Sequence, residues 1–332
     1  MTVPSEASAS LPPSRGRRPV NVAVLGLGAR WRKLYGPALH SLHDRFRVRA
    51  VCDPVQEWAD QEARRLGCVA AAGPTELLQT EDVDALLLLD APWYRLWPLE
   101  LACRLGKPVF CALPLELDEA HADALRAQVR EDGLVVMMAL TPALAPAAGR
   151  LRRLLDEQLG PPRSLLCDWA QPGPVQRPAA PLLGTAGGAV LDCCLSVFGT
   201  APSGVLATEA PAAGLASVLL EFPDGRAAQI VRRRVPGRRG SLRLQVVAEK
   251  GQGTAALPAR VSWTDDTGRH RHVLPPPGPA GRLLLERFYR AVAAGGPAEP
   301  GLEQAFRTLA CLRAIARSRA EGRRVAVADT SA

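Results

Sequence analysis

One stretch constrains the fold more than any other. Val20-Asn21-Val22-Ala23-Val24-Leu25 is an apolar run that meets Gly26-Leu27-Gly28-Ala29-Arg30-Trp31, and a helical pattern follows to about Leu42, with Gly36-Pro37 as a kink. That is the layout of a strand–turn–helix unit that cradles a nucleotide diphosphate. Gly26 permits the tight turn, and Gly28 lets backbone N–H groups approach a diphosphate at the helix N-terminus. The third glycine of such a fingerprint, which allows close helix–strand packing, is absent. Trp31 stands there, and its bulk is expected to lift or rotate the helix.

The next segments extend the pattern. Arg47–Asp53 reads as a second strand closed by Asp53, 27 positions after Gly26. A carboxylate there can accept hydrogen bonds from the adenosine ribose and repel a 2′-phosphate, which favours NAD over NADP. Asp53-Pro54 also reads as a simple turn and helix start. Gln56–Leu66 is a helix, Val69-Ala70 a short strand, and Thr75–Leu78 a helical turn. Asp84–Asp90 is a central strand, apolar on both faces. A loop at Ala91-Pro92-Trp93-Tyr94 and a helix at Pro98–Leu105 come next. Strand Pro108–Cys111, helix Asp118–Glu131 and strand Leu134–Ala139 complete the series. Strand and helix alternate about five times, the signature of a doubly wound parallel sheet.

After about residue 140 the pattern changes. Helix Ala147–Leu159 is followed by strands at Ser164–Trp169, Gly204–Thr208, Ala216–Phe222, Ala227–Val235 and Ser241–Ala248. Helices Leu283–Ala294 and Leu302–Arg319 and a strand at Arg324–Val327 close the chain. The fold class is therefore α/β: a Rossmann sheet over 20–140 and a second α/β domain over 141–328 with an open, mostly antiparallel sheet. The Ser-, Pro- and Arg-rich residues 1–19 are expected to form a disordered tail, and 329–332 a second one.

Several ordered stretches carry a resemblance. They are Val24-Leu25-Gly26-Leu27-Gly28, Val51-Cys52-Asp53-Pro54, Val83-Asp84-Ala85, Gly106–Cys111, Gly187-Gly188-Ala189-Val190-Leu191-Asp192, Ile315–Ser318 and Gly322–Val325. As an ordered set they resemble the glucose–fructose oxidoreductase/inositol dehydrogenase (Gfo/Idh/MocA) family. The resemblance implies NAD(P)-dependent hydride transfer to or from a sugar, cyclitol or related polyol. It implies a cofactor held by Gly26, Leu27, Gly28, Ala29, Arg30 and Asp53, with Pro92 and Trp93 in the loop after the fourth strand, and homo-oligomerisation through the C-terminal sheet.

The departures from the family pattern are as informative as the match. The family's Glu-Lys-Pro at the end of the fifth strand is Ala112-Leu113-Pro114 here, so the lysine near substrate is lost. The family's Asp and His four residues apart become Asp192 and Ser196. Asp90 stands near a position that the family usually fills with a small or hydroxylated residue, and a carboxylate near a diphosphate opposes its binding unless neutral or turned away. Asp192 and Tyr94 remain as candidate proton acceptors. Three readings stay open: an oxidoreductase with an altered proton-transfer apparatus, a non-catalytic dinucleotide-binding relative, and a remnant in which Trp31 closes the nucleotide site.

Other signals bound the function further. The 332 residues carry a formal net charge of +8, which favours anionic partners. Eight cysteines without a C-x-x-C pair sit mostly in apolar runs, as expected for reduced thiols of a cytoplasmic protein. No apolar run reaches membrane-spanning length, and no metal-ligand spacing occurs. His270 and His272 lie in a polar, solvent-facing segment. The Arg232–Arg239 cluster reads as a solvated sheet edge or oligomer rim, or as a contact for an acidic substrate. A nucleic-acid patch is disfavoured because aromatic interleaving is lacking. Trp93, Tyr94 and Trp97 offer either faces for a sugar ring or packing at a helix start.

Overall fold

The computed structural model describes residues 18–113, 119–140, 142–174, 182–183, 186–237, 239–296 and 298–328. The expected tails at 1–17 and 329–332 lie outside them, as does Pro114. Arg18, placed in the tail by its sequence, is described and pairs with Asp84 at 2.9 Å. The chain divides into two units. The first runs to Ala139 and takes in Gly278–Glu303; the second holds Leu140–Pro277 and the residues from Gln304 onward.

The first unit is a six-stranded parallel sheet in the order β3-β2-β1-β4-β5-β6. Its strands are β1 (Val20–Leu25), β2 (Phe46–Cys52), β3 (Val69–Ala70), β4 (Ala85–Leu88), β5 (Val109–Cys111) and β6 (Val136–Met138). The connecting helices are α1 (Gly36–Ser41), α2 (Gln56–Leu66), α3 (Pro74–Gln79), α4 (Trp97–Arg104) and α5 (Glu119–Glu131). Every residue of β4 is buried, as a strand covered on both faces requires. The strand order reverses between β1 and β4, which opens a crevice at their C-terminal ends.

Trp31 is accommodated by a change of helical geometry. A π-helical turn, Trp31–Tyr35, precedes α1, and the Gly36 N–H bonds to the Trp31 carbonyl across it. The wider turn makes room for the ring, which is buried and donates Nε1–H to Glu62 Oε1 at 3.0 Å. Gly36 lies under that ring, where a Cβ would sit 3.3 Å from it.

The second unit is built on a nine-stranded sheet in the order β14-β13-β12-β11-β7-β10-β9-β8-β15. Its first five strands in sequence are β7 (Pro162–Pro172), β8 (Gly204–Ala210), β9 (Leu215–Glu221), β10 (Ala227–Val235) and β11 (Ser241–Ala248). The others are β12 (Gly251–Ala256), β13 (Arg260–Asp265), β14 (Gly268–Val273) and β15 (Val325–Ala326). Among the described strands of this sheet, only β7 and β10 pair in parallel. The strands β12 to β14 are additional to the sequence reading. Their glycines and charged residues weaken the alternation that marks a strand, and their pairing with β11 supplies the order. Helices α6 (Pro146–Leu154), α7 (Gly187–Phe198) and α9 (Leu302–Glu321) bring apolar residues into one core with the sheet, among them Leu151, Leu191 and Ile315. α8 (Ala280–Ala294) belongs to the first unit, where it packs on α1.

The arginine cluster is not a sheet edge. β10 is an interior strand, and Arg232 points into the buried face at 3 % exposure. The register aligns Glu209, Ala216, Arg232 and Trp169 across four strands. Arg232 reaches over the small Ala216 to Glu209 at 3.6 Å, and Arg319 from α9 closes on Glu209 at 2.8 Å. Arg233 faces the other way and bonds Asp168 with Nε and Nη2. Removing Glu209 strands a buried guanidinium. Glu209→Ala should therefore cost about 3 kcal/mol in urea denaturation, and the double change with Arg232→Met should recover most of it. A loss under about 0.5 kcal/mol, the size of a surface substitution, would show that the pair is solvated.

Candidate functional site

The crevice of the first unit is assembled by backbone. Gly26 has φ +94°, and its Cα presses on the Asp90 backbone so closely that a Cβ would overlap it. The Gly26 N–H bonds the Cys52 carbonyl at 2.9 Å, which joins the turn to the end of β2. Asp53 completes that joint. Its Oδ2 accepts the Leu27 N–H at 2.7 Å and its Oδ1 accepts the Val55 N–H at 2.9 Å. The carboxylate is buried at 6 % exposure, so its first task is to hold the glycine turn and start α2. The helical turn that leads into the π turn opens after Gly28, with the Arg32 N–H bonded to the Gly28 carbonyl at 3.1 Å. The leading N–H groups of a helix have no partner inside it. Together with the bare Cα atoms of Gly26 and Gly28 they fit the diphosphate of a dinucleotide.

Asp90 intrudes on this cradle. Its carboxylate lies where a Cβ of Gly28 would be, with Oδ2 nearest. Arg30 sits beside it and donates Nη1–H to the Leu89 carbonyl at 3.0 Å and to Asp90 Oδ1 at 3.4 Å. Ala29 lies between Gly28 and Arg30 at the helix start. Pro92, Trp93 and Tyr94 form a short 3₁₀ turn after β4. Trp93 is 78 % exposed, and Trp97 is half-exposed. Burial, and then the charges of Cys52 and Asp53, push the Tyr94 phenol up. A phenol held protonated is a poor proton acceptor at neutral pH. At the end of β5, Leu113 is buried and its carbonyl accepts a weak bond from the Cys111 thiol.

The second unit holds the other candidate, Asp192, on α7. The glycines before it serve packing: a Cβ on Gly187 would overlap the Leu183 side chain, and Gly188 faces Leu312 and Thr308. Gly199, at φ +72°, ends the helix. Asp192 is buried at 3 % exposure, and its Oδ2 has no hydrogen-bond partner among the described residues. Burial raises its carboxyl to about 6, against the opposing pull of Arg307 and Arg152. One turn on, Ser196 donates to the Cys193 carbonyl at 2.8 Å and accepts from Arg152 Nη1 at 3.0 Å. Arg152 also bonds the Ala143 carbonyl at 3.0 Å. Arg152 therefore pins Ser196, the position where the family resemblance led to an expected histidine. Sequence reading missed it, because its 44-residue separation from Ser196 leaves no periodic signal. Gln171, near the end of β7, likewise carries a buried unpartnered Oε1.

His270 donates or accepts locally rather than in a metal site. It stacks on Trp263 with ring centroids 4.8 Å apart and pairs with Asp265 at 3.1 Å. Among the described residues no group of three or more His, Cys, Asp or Glu side chains is placed to hold a metal. No helix among them is long and apolar enough to cross a membrane.

Two family models match the chain in series. The oxidoreductase-family NAD-binding Rossmann fold covers residues 20–140, and the C-terminal α/β domain of the same family covers 159–327. The chain belongs to the Gfo/Idh/MocA oxidoreductase family. Among curated relatives, it is 30% identical over 177 residues to a dTDP-3,4-didehydro-2,6-dideoxy-alpha-D-glucose 3-reductase of Actinomadura kijaniata, covering 52% of each chain. It is 27% identical over 180 residues to the scyllo-inositol 2-dehydrogenase (NAD(+)) of Bacillus subtilis strain 168, covering 53% of this chain and 51% of the relative. The chain thus spans about half the length of the curated relatives it matches. Among solved structures, levoglucosan dehydrogenase in complex with NADH and L-sorbose has a TM-score of 0.80 at 16% identity, covering 94% of this chain and all of that one. UDP-N-acetylglucosamine 3-dehydrogenase from Acidithiobacillus ferrooxidans has a TM-score of 0.76 at 22% identity, covering 90% and 97%. These structures share the fold of this Gfo/Idh/MocA chain.

The raised Asp192 carboxyl has a consequence for stability. Between the ordinary carboxyl value of 3.8 and about 6, the folded protein holds a proton that the unfolded chain has released. Stability should therefore fall as pH rises through that window and level off above it, by up to about 3 kcal/mol from this group. Chemical denaturation at pH 4, 5, 6 and 7 reads this slope. Asp192→Asn should flatten it, and an unchanged slope in that variant would assign it elsewhere.

Proposed function

We propose that the chain is an NAD-dependent oxidoreductase that transfers hydride to or from a CH–OH group of a sugar, cyclitol or related polyol. The observation that carries this reading is the Gly26–Gly28 turn at the β1/β4 switch point, tied to Asp53. Family membership and the sugar and inositol activities named for its relatives support it. NAD supplies the hydride acceptor when bound. Gly26, Leu27, Gly28, Ala29 and Arg30 cradle the diphosphate. Asp53 has lone pairs left to accept ribose hydroxyls and disfavours a 2′-phosphate, so NADP is the weaker ligand. Pro92 and Trp93 border the cofactor loop.

Asp192 takes the proton of the substrate hydroxyl. It is buried, its Oδ2 is open, and its carboxyl lies near neutrality, where a general base works best. Tyr94 is the poorer candidate, because its phenol is pushed further from neutrality. The exposed sheet face, with Leu166 and Val247 on neighbouring strands, is the surface proposed for homo-oligomerisation. The eight free cysteines accord with a cytoplasmic protein.

A second reading is favoured by specific residues. Leu113 offers neither charge nor donor, and Arg152 locks Ser196, which favours a dinucleotide-binding regulatory or interaction protein without turnover. NADH titration followed by tryptophan fluorescence, then turnover on a panel of sugars, inositols and nucleotide sugars in both directions, separates the two. In the enzyme reading, alcohol oxidation falls about tenfold per pH unit below about 6, because the base must be ionised. Asp192→Asn lowers kcat by about 10²–10⁴ and leaves the NADH affinity in place. NADH binding without turnover on any of the panel supports the regulatory reading.

A further inference from the structure

We propose that Asp90 sets the affinity of this chain for its dinucleotide: its carboxylate occupies the diphosphate's place on Gly28 and competes with the diphosphate for Arg30. The inference rests on the cofactor reading above. Three observations carry it. The Asp90 carboxylate fills the space left by the missing side chain of Gly28, at the start of the helix where an anion is stabilised. Arg30, the cation of that first turn, is already engaged by Asp90 Oδ1 and the Leu89 carbonyl. The backbone beneath is fixed, since the Leu89 N–H bonds the Leu25 carbonyl at 2.9 Å and Gly26 packs on Asp90. Asp90 can therefore leave only by rotating its side chain.

Both side chains have somewhere to go. Asp90 is 29% exposed and Arg30 41%, so each can turn toward solvent without opening the core. A carboxylate and a diphosphate cannot share one helix terminus, because their charges repel and their volumes overlap. The chain thus has a closed arrangement, in which Asp90 lies on Gly28, and an open one, in which Asp90 swings out and Arg30 turns to the phosphates. The observed affinity is the intrinsic affinity multiplied by the open fraction.

NADH titration of the full chain and its variants tests this. Asp90→Ser and Asp90→Asn should each tighten NADH binding about tenfold, which corresponds to a closed form populated about nine-tenths of the time. Adenosine, which lacks the diphosphate, should bind wild type and variants alike. Inorganic pyrophosphate, titrated without NADH, should bind Asp90→Ser more tightly than wild type by the same factor. Arg30→Ala in the Asp90→Ser background should reverse most of the gain. Thermal melts establish that each variant is folded. Equal NADH affinities in wild type and both Asp90 variants overturn the proposal. Tightening in Asp90→Ser alone overturns its charge component. If folded wild type and variants all fail to bind NADH at millimolar concentration, the cofactor reading falls, and this inference with it.

Discussion

The contact between the first glycine turn and the end of the fourth strand organises the first unit. Gly26 must approach the Asp90 backbone without a Cβ, at a φ that L side chains rarely adopt. Asp53 then draws in the Leu27 N–H from the neighbouring strand. Three strand ends are tied at one point, and the crevice they form is where a doubly wound sheet can receive a ligand. Trp31 threatens this arrangement because it replaces the residue that lets helix and strand approach. The chain absorbs it with a π turn and a bond to Glu62 rather than by opening the crevice.

The second unit solves a different problem. A wide sheet must bury one face under helices while carrying polar residues at the points where chemistry is expected. Arg232, Glu209 and Arg319 are paired and behave as structure. Asp192 is buried with its Oδ2 unpartnered among the described residues, and burial raises its carboxyl. Buried groups with perturbed acidity are where function is usually found. Arg152 shows the other side of the same unit, since it ties Ser196 and the Ala143 carbonyl into a fixed hydrogen-bonded joint.

A protein of this kind illustrates why family and activity are separate conclusions. The fold and the dinucleotide cradle belong to the Gfo/Idh/MocA family. Turnover depends on a few side chains, and this chain has leucine at position 113 and serine at position 196 where the family resemblance implies lysine and histidine. Sites are grafted on folds and can change while the fold persists. The Arg30–Asp90 pair puts a carboxylate and its offsetting cation side by side at the glycine turn.

The alternation of apolar runs with amphipathic helices and the two glycines determined the parallel sheet and its crevice from sequence alone, because periodicity and φ preference are local properties. Asp53 was legible by its place at the end of a strand. Its bonds to Leu27 and Val55 were not, since they depend on how two strands align. The strands from Gly251 to Val273 were not legible either, because their order comes from pairing with a neighbour rather than from their own pattern. Tertiary structure alone turned Arg232 inward from an apparent surface cluster, set Asp90 on Gly28 and joined Arg152 to Ser196. In each case the deciding partner lies on another segment of the chain, and a contact across tens of residues leaves no trace in local spacing.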